Sequence, residues 1–205
     1  MFDPLKGTAS FAEGNERQGK SRGMLRRFRR SQNGAAAVEF GFVALPFFML
    51  TWAIIETGLM FWTSQVLEES VTQASRTLLT GESRSIYTSS SAAANAAAFR
   101  QTVCARAQLK LIDCNKLAVD VRTYDSFAAA NTGTAGSNPL AGGGLNTSGF
   151  SYSQPSSNQI VVVRAVLDYK LFLTAWASAE LANIGGKGSG RRGLVASVAF
   201  RAEPF

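Results

Sequence analysis

The chain has 205 residues, of which 46% are hydrophobic and 17% are charged. This length and composition fit one packed domain with extensions, or one domain on a membrane anchor, and exclude a chain that is disordered throughout. The sequence contains no histidine, which excludes His-based catalytic triads and His metal sites. Most of the net charge of +7 lies in residues 1–34, which hold eight basic and three acidic side chains. The positive charge is therefore concentrated in an amino-terminal tail. This distribution weakens the interpretation that residues 35–205 bind nucleic acid.

An apolar run from Phe40 to Trp62 follows the basic tail. As a helix, its 23 residues would span roughly 34 Å, which is enough for one membrane crossing. Five arginines between residues 22 and 30 flank its amino end. Because positive charge marks the cytoplasmic side, we expect a cytoplasmic amino terminus and a carboxy-terminal body on the other side. The arginines are interpreted as this topology signal in preference to a nucleic-acid site.

Glu39 stands at the entrance to the apolar run, where a carboxylate in hydrocarbon costs about 2.5–3.5 kcal/mol. The small residues 34–37 precede the run, so cleavage there would leave the apolar segment in the mature protein. After cleavage between Gly34 and Ala35, Glu39 would be the fifth residue of a helix that begins with a free ammonium group. It could then pair with the amine of a neighbouring chain. The alternative is an uncleaved anchor in which Glu39 reaches the lipid headgroups, and the residues alone leave both open.

Three further features make this helix less stable in lipid than a purely apolar span. Glu56 lies 17 residues after Glu39, about 26 Å along a helix, so the two carboxylates would bracket a bilayer core. Between them, Pro46 removes a backbone hydrogen bond and Thr51 adds a polar side chain. Such a segment suits a protein that later leaves the membrane.

Beyond the apolar run, the patterns predict an α+β head. Apolar residues recur there at helical spacing, so the first helix is expected to continue to about Leu79. This apolar stripe comprises Leu67, Val71, Ala74 and Leu78. We expect the stripe to pack on the protein's own head in preference to another subunit.

A second helix and a small antiparallel sheet are expected to complete the head. The Ala-rich residues 91–112 favour the helix, and the polar Gly/Ser/Asn-rich residues 129–158 favour a long flexible loop. Alternating or β-branched residues favour the strands. These strands are expected at residues 117–124, 159–173 and 194–205. Residues between the last two strands are ambiguous, with a short helix ending at Gly185 as one interpretation.

Cys104 and Cys114 are the only cysteines and lie ten residues apart. A disulfide that closes a short loop in an oxidising compartment is the favoured interpretation, and two buried thiols are the alternative. The disulfide would fasten the second helix to the start of the sheet. The acidic residues show no paired spacing typical of a metal or glycosidase site, and the Gly-rich loops lack the phosphate-loop pattern. The sequence therefore predicts no enzyme, no catalytic residue, no metal and no cofactor.

Residues 32–76 resemble the TadE-like proteins, which are minor pilins or pseudopilins of the bacterial tight-adherence (Flp-type) pilus system. The features that carry the resemblance are Gly34, the triplet Val38-Glu39-Phe40, Pro46, the element Glu56-x-Gly58, and the small-residue continuation that ends at Arg76. The final residues 200–205, FRAEPF, are similar to the carboxy-terminal signature of many such proteins. The resemblance covers the amino-terminal helix specifically and the remainder only in general layout.

The resemblance implies that a prepilin peptidase of the inner membrane cuts after Gly34 and leaves Ala35 as the amino terminus. It also implies that Glu39 matches the amine of an adjacent subunit. The leader is longer and the mature chain larger than in the major pilins of this system, which favours a minor, priming or tip component. The expected processing residues are Gly34, Ala35, Glu39 and Phe40, and the expected subunit-packing residues are Glu39, Pro46 and Glu56.

The predicted organisation follows from these points. It comprises a cleaved leader at 1–34, a helix at 35–80 with its membrane span at about 40–62, and an extracytoplasmic pilin-like α+β head at 81–205. The protein is expected in the bacterial inner membrane, with its head in the periplasm, and then in a pilus at the cell surface. Expected partners are the peptidase, major and minor pilins, the inner-membrane assembly platform and lipid, without nucleic acid. The alternatives are an unprocessed, envelope-anchored binding or scaffold protein and, least favoured, an anchored enzyme.

Overall fold

A long α-helix, α1, runs from Asn33 to Leu79 in the computed structural model, which describes residues 33–107, 111–133, 138–172 and 180–205. Its large apolar side chains from Val38 to Ile55 are exposed. The most apolar stretch of this helix has a mean hydropathy of 1.9, and none of that stretch is buried. This one amino-terminal helix is therefore long and apolar enough to cross a membrane, which is consistent with a single-pass membrane protein.

Hydroxyl side chains in α1 bond back onto the helix itself. Thr57, Thr63 and Ser70 each donate to the carbonyl oxygen four residues earlier, at 2.9, 2.8 and 2.6 Å. Because these hydroxyl groups have partners within the helix, they need no water, either on the exposed side of α1 or in its buried part.

The chain divides into two compact units, one ending at Met49 and one from Leu50 to Phe205. In the described part of the chain, the first unit is the start of α1. The second unit holds the rest of α1 and the whole head. The head combines further helices with a three-stranded antiparallel sheet, so the α+β fold class predicted from the sequence is confirmed.

Three antiparallel strands form the sheet of the head in the order β1-β2-β3. They are β1 (Leu117–Tyr124), β2 (Ile160–Lys170) and β3 (Arg191–Arg201). Val121 lies opposite Val163, which lies opposite Val198. Because side chains alternate along a strand, this register puts one apolar row from all three strands on the same face.

That face packs against α1 and a second long helix, and the interface is the hydrophobic core. The apolar stripe of α1 is 0–1% exposed and belongs to the same core as the sheet. The prediction that it packs on the protein's own head is therefore confirmed. Fully burying one leucine or valine side chain of the stripe contributes about 1.5–3 kcal/mol, so the stripe fixes α1 to the head.

The second long helix is α3 (Ala92–Arg106), which follows the one-turn helix α2 (Ser83–Ile86). The hydroxyl of Ser91 caps the start of α3 by accepting the N–H of Ala94. The helix was predicted to reach residue 112, and it ends earlier. The Cα atoms of Cys104 and Cys114 are 6.0 Å apart, whereas ten residues of continuous helix would separate them by about 15 Å.

Residues 129–158, predicted as a flexible loop, contain ordered structure in their described part. The helix α4 (Phe127–Thr132) is capped by Ser126. Tyr152 forms a parallel bridge with Val121 and packs with the rings of Tyr87 and Phe99. Composition signalled the turns but not these contacts, because they depend on partners far away in the sequence. Residues 134–137 lie outside the described residues.

The second face of the sheet holds a buried carboxylate. Asp120 is 1% exposed and accepts hydrogen bonds from Arg164 at 2.8 Å and Arg122 at 2.9 Å. It also accepts the N–H of Ser151 at 2.9 Å. The guanidinium of Arg164 lies 5.5 Å from the ring centroid of Phe150. Residues of the predicted loop thus cover this face, and the buried charge is paired and hydrogen-bonded.

Of the residues between β2 and β3, the structure describes 171–172 and 180–190. Residues 180–185 comprise a turn, irregular backbone and a bend, so the short helix expected to end at Gly185 is not formed by these residues. The other residues of that expected helix, 174–179, lie outside the described part of the chain.

The carboxy-terminal residues close over the end of α1. The N–H of Glu203 donates to the carbonyl oxygen of Leu79 at 3.0 Å. The guanidinium of Arg84 lies 4.7 Å from the centroid of the Phe205 ring. Gly81, two residues after the end of α1, has φ +80° and lies directly beneath that ring. The residues that resemble a carboxy-terminal signature therefore have a structural role here, which is to fasten the chain end to α1.

Replacing Gly81 with alanine is expected to destabilise the head by about 2 kcal/mol, because a non-glycine residue in the left-handed region costs about 1–2 kcal/mol. The added Cβ would also lie 2.6 Å from Cγ of Phe205. Urea unfolding of the full chain in nanodiscs measures the change. The matched control is Gly144→Ala, since Gly144 has φ −129° and nothing near its Cβ position. Equal midpoints for the two variants would contradict this role of Gly81.

Candidate functional site

The four expected processing residues lie together at the start of α1. The helix begins at Asn33, so Gly34 and Ala35 are already helical. The side chains of Glu39 and Phe40 are exposed. A carboxylate is thus displayed on the surface of an apolar helix, one turn beyond the expected new amino terminus.

An apolar groove runs along the same part of α1. It has a volume of about 410 Å³ and is lined by Val38, Gly41, Phe42, Leu45 and Pro46. These positions share one helix face, and Gly41 has nothing within 4 Å of its Cβ position. The groove offers room for an apolar side chain from another helix, as knobs-into-holes packing requires.

Glu56 has a different environment from Glu39. Its side chain is 2% exposed, and its two carboxylate oxygens accept the backbone N–H of Phe172 at 3.0 and 2.9 Å. The interaction joins α1 to the residues that follow β2 within one chain. From its sequence resemblance, Glu56 is a predicted subunit-packing residue. That role stays a prediction, and the structure adds an intrachain contact.

Tyr169 and Phe172 surround this junction. Burial raises the pKa of the Tyr169 phenol, and the nearby Glu56 carboxylate raises it further. The rings of Tyr169 and Phe172 meet edge to face with centroids 6.2 Å apart. Phe172 was not among the site residues predicted from the sequence. The signal that could have found it is the apolar sequence Leu-Phe-Leu directly after the charged Lys170.

A cavity of about 680 Å³ opens at this end of the sheet. Its charged lining residues are Asp113, Lys116, Asp168, Lys170 and Arg191. Arg191 is bound to the carboxylate of Asp168, and this hydrogen bond raises the pKa of the guanidinium. Lys116 and Lys170 are exposed to solvent at the cavity.

Cys104 and Cys114 form a disulfide. Cys104 lies in the last turn of α3, and Cys114 begins the short 3-10 helix Cys114–Lys116 that leads into β1. The predicted link between the second helix and the start of the sheet is confirmed. Among the residues that the structure describes, no group of three or more His, Cys, Asp or Glu side chains is placed to hold a metal ion.

Residues 34–76 match the family model described as TadE-like protein. No curated protein and no solved structure matches the chain. The match begins at Gly34, includes Glu39, Pro46 and Glu56, and ends within α1. The resemblance stated from the sequence is therefore confirmed for this helix, while the head has no matched relative.

Proposed function

Because residues 34–76 are a TadE-like segment, we propose that this protein is a minor pilin of a bacterial tight-adherence pilus. It is made as a precursor with a basic leader and held in the inner membrane by the first part of α1. A prepilin peptidase then cuts between Gly34 and Ala35. The processed protein joins major and minor pilins at the assembly platform, where it primes assembly or forms the tip.

The exposed carboxylate of Glu39 on the matched helix is the observation that carries this proposal. In lipid this group costs about 2.5–3.5 kcal/mol. A neighbouring subunit, shifted along the helix axis, would bring the amine of its own Ala35 to the carboxylate and offset that cost. The apolar groove beside Glu39 would seat a side chain of the same neighbour, so the pair of helices gains packing and charge neutralisation together.

The rest of the chain supports a structural role. The carboxy terminus closes over the end of α1, and the disulfide joins α3 to the start of the sheet, so the head is braced internally and fastened to the helix. A head held in this way keeps its position when α1 moves from lipid into a bundle of helices. We accordingly propose that the protein has no enzymatic activity and does not bind nucleic acid.

Processing is expected to remove the leader. Intact-mass analysis and amino-terminal sequencing of the protein from host membranes should show Ala35 as the first residue, and the leader should persist in a strain without the peptidase. Gly34→Leu should block cleavage without disturbing the fold, because nothing lies within 4 Å of its Cβ position. Gly58→Leu is the matched control, since Gly58 is a helical glycine with the same open surroundings. A leader that stays attached in the wild-type host would instead indicate an unprocessed, envelope-anchored binding or scaffold protein.

A further inference from the structure

An exposed aromatic side chain follows β2, next to the apolar part of α1. Phe172 is 74% exposed, whereas Leu171 before it is 3% exposed. Its backbone is held by the carboxylate of Glu56 at 2.9 and 3.0 Å. The backbone that carries the ring is therefore held in place while the ring itself stays exposed, although burying such a side chain would contribute about 1.5–3 kcal/mol. A surface that surrounds the ring with apolar groups would recover this free energy.

Glu56 marks the point at which the surroundings of α1 change. On its amino-terminal side, the large apolar residues 50–55 are exposed. On its carboxy-terminal side, Met60 packs against the core and Thr63 is 2% exposed. When the exposed residues lie in hydrocarbon, the contact between Glu56 and Phe172 lies at the edge of the bilayer. The ring of Phe172 is then level with the boundary between acyl chains and headgroups.

Other side chains near this level, toward the head, have the chemistry of a membrane interface. Phe61 and Trp62 are 65% and 50% exposed and lie about 8–9 Å along the helix beyond Glu56. Aromatic side chains concentrate at this depth in membrane proteins. Lys170 and Lys116 present exposed ammonium groups at the cavity beside Phe172. Lysine can keep its ammonium group at the phosphates while its methylene stem covers apolar surface.

We propose that Phe172, together with Lys170 and Lys116, forms a surface of the head that binds the lipid bilayer. The phenyl ring enters the acyl–headgroup boundary, and the two ammonium groups meet the phosphates of anionic phospholipids. This inference rests on the proposed function because it requires α1 to be inserted in a membrane. It goes further in giving the head its own attachment to lipid, which must be released when the subunit enters a pilus.

The test uses the full chain in nanodiscs with a polarity-sensitive fluorophore on a single added cysteine. The label is placed by Phe172→Cys, and one label per chain shows that the native disulfide is intact. With nitroxide lipids that carry the spin label near the headgroup, quenching at residue 172 should be several-fold stronger than at a control residue. The control is Phe127→Cys, since Phe127 is 59% exposed and follows β1 at the opposite end of the sheet. Adding Lys170→Glu should reduce quenching at residue 172 in anionic nanodiscs more than in zwitterionic ones.

A third label, Phe47→Cys in the apolar part of α1, separates the two ways in which the inference can fail. Lipid quenching at residue 47 with equal quenching at 172 and 127 would overturn the lipid-binding surface and leave membrane insertion intact. A label at 47 that stays unquenched would overturn both insertion and this inference. An identical effect of Lys170→Glu in the two lipid mixtures would overturn the phosphate contact.

Discussion

Replacing Glu39 with alanine is expected to abolish assembly into pili while membrane insertion and leader cleavage continue. The carboxylate is exposed on an apolar helix, so its removal lowers the cost of staying in lipid by about 2.5–3.5 kcal/mol. On the proposed function, the same change leaves the amine of a neighbouring subunit without its partner. The variant should therefore accumulate in membranes as the mature form. Counting pili by electron microscopy, in a strain that carries only the variant gene, measures the loss.

Two further variants separate charge from shape in this prediction. Glu39→Gln keeps the size of the side chain and should fail almost as completely as alanine, because neutralising the amine needs the negative charge. Glu68→Ala removes an exposed glutamate from the head portion of the same helix and should leave pili unchanged. Normal piliation with Glu39→Ala would refute the charge-pairing mechanism, even if the protein proves to be processed.

Glu56→Ala is expected to lower the free energy of unfolding of the head by about 3 kcal/mol. Hydrogen bonds to a charged group contribute about 1.5–3 kcal/mol, and the N–H of Phe172 would lose this acceptor in a partly buried place. The bond joins residues 116 positions apart, so its loss frees the end of β2 from α1. Urea-dependent proteolysis of the full chain in nanodiscs measures the change.

Glu56→Gln offers a spectroscopic readout that a general loss of stability would not produce. It keeps one amide oxygen to accept the N–H of Phe172, so the destabilisation should be smaller than for alanine. The negative charge near Tyr169 is lost, and the pKa of the phenol should fall while burial still holds it above its ordinary value. Absorbance titration of the phenolate, with Tyr169→Phe to identify the signal, measures this shift. Glu68→Gln, an exposed change on the same helix, should alter neither stability nor titration, and an unchanged Tyr169 titration in Glu56→Gln would contradict the contact.

The sequence by itself determined the parts of this protein that depend on local patterns. The apolar run and the helical spacing of the stripe predicted α1 to Leu79, where it ends. The alternation of LAVDVRTY predicted β1 at residues 117–124, which are its bounds. The positions of Gly34 and Glu39 before the apolar run identified the TadE-like segment, because that signal is a short pattern within one helix. The cysteine spacing is also a local signal, and it favoured the disulfide because a bond between residues ten apart closes a small loop.

Only the tertiary structure decided which distant residues meet. Strand order, the burial of Asp120 beside Arg164, and the bridge of Tyr152 to Val121 depend on contacts across the fold. The contact of Glu56 with Phe172 also depends on the tertiary structure. It pairs a carboxylate that was predicted to lie at the membrane with the backbone of the protein's own head. The spacing of hydrophobic residues along the sequence cannot predict such pairs. It indicates which face of a helix or strand is buried, but not which other residues cover that face. The packing of the head on α1 supplied that information.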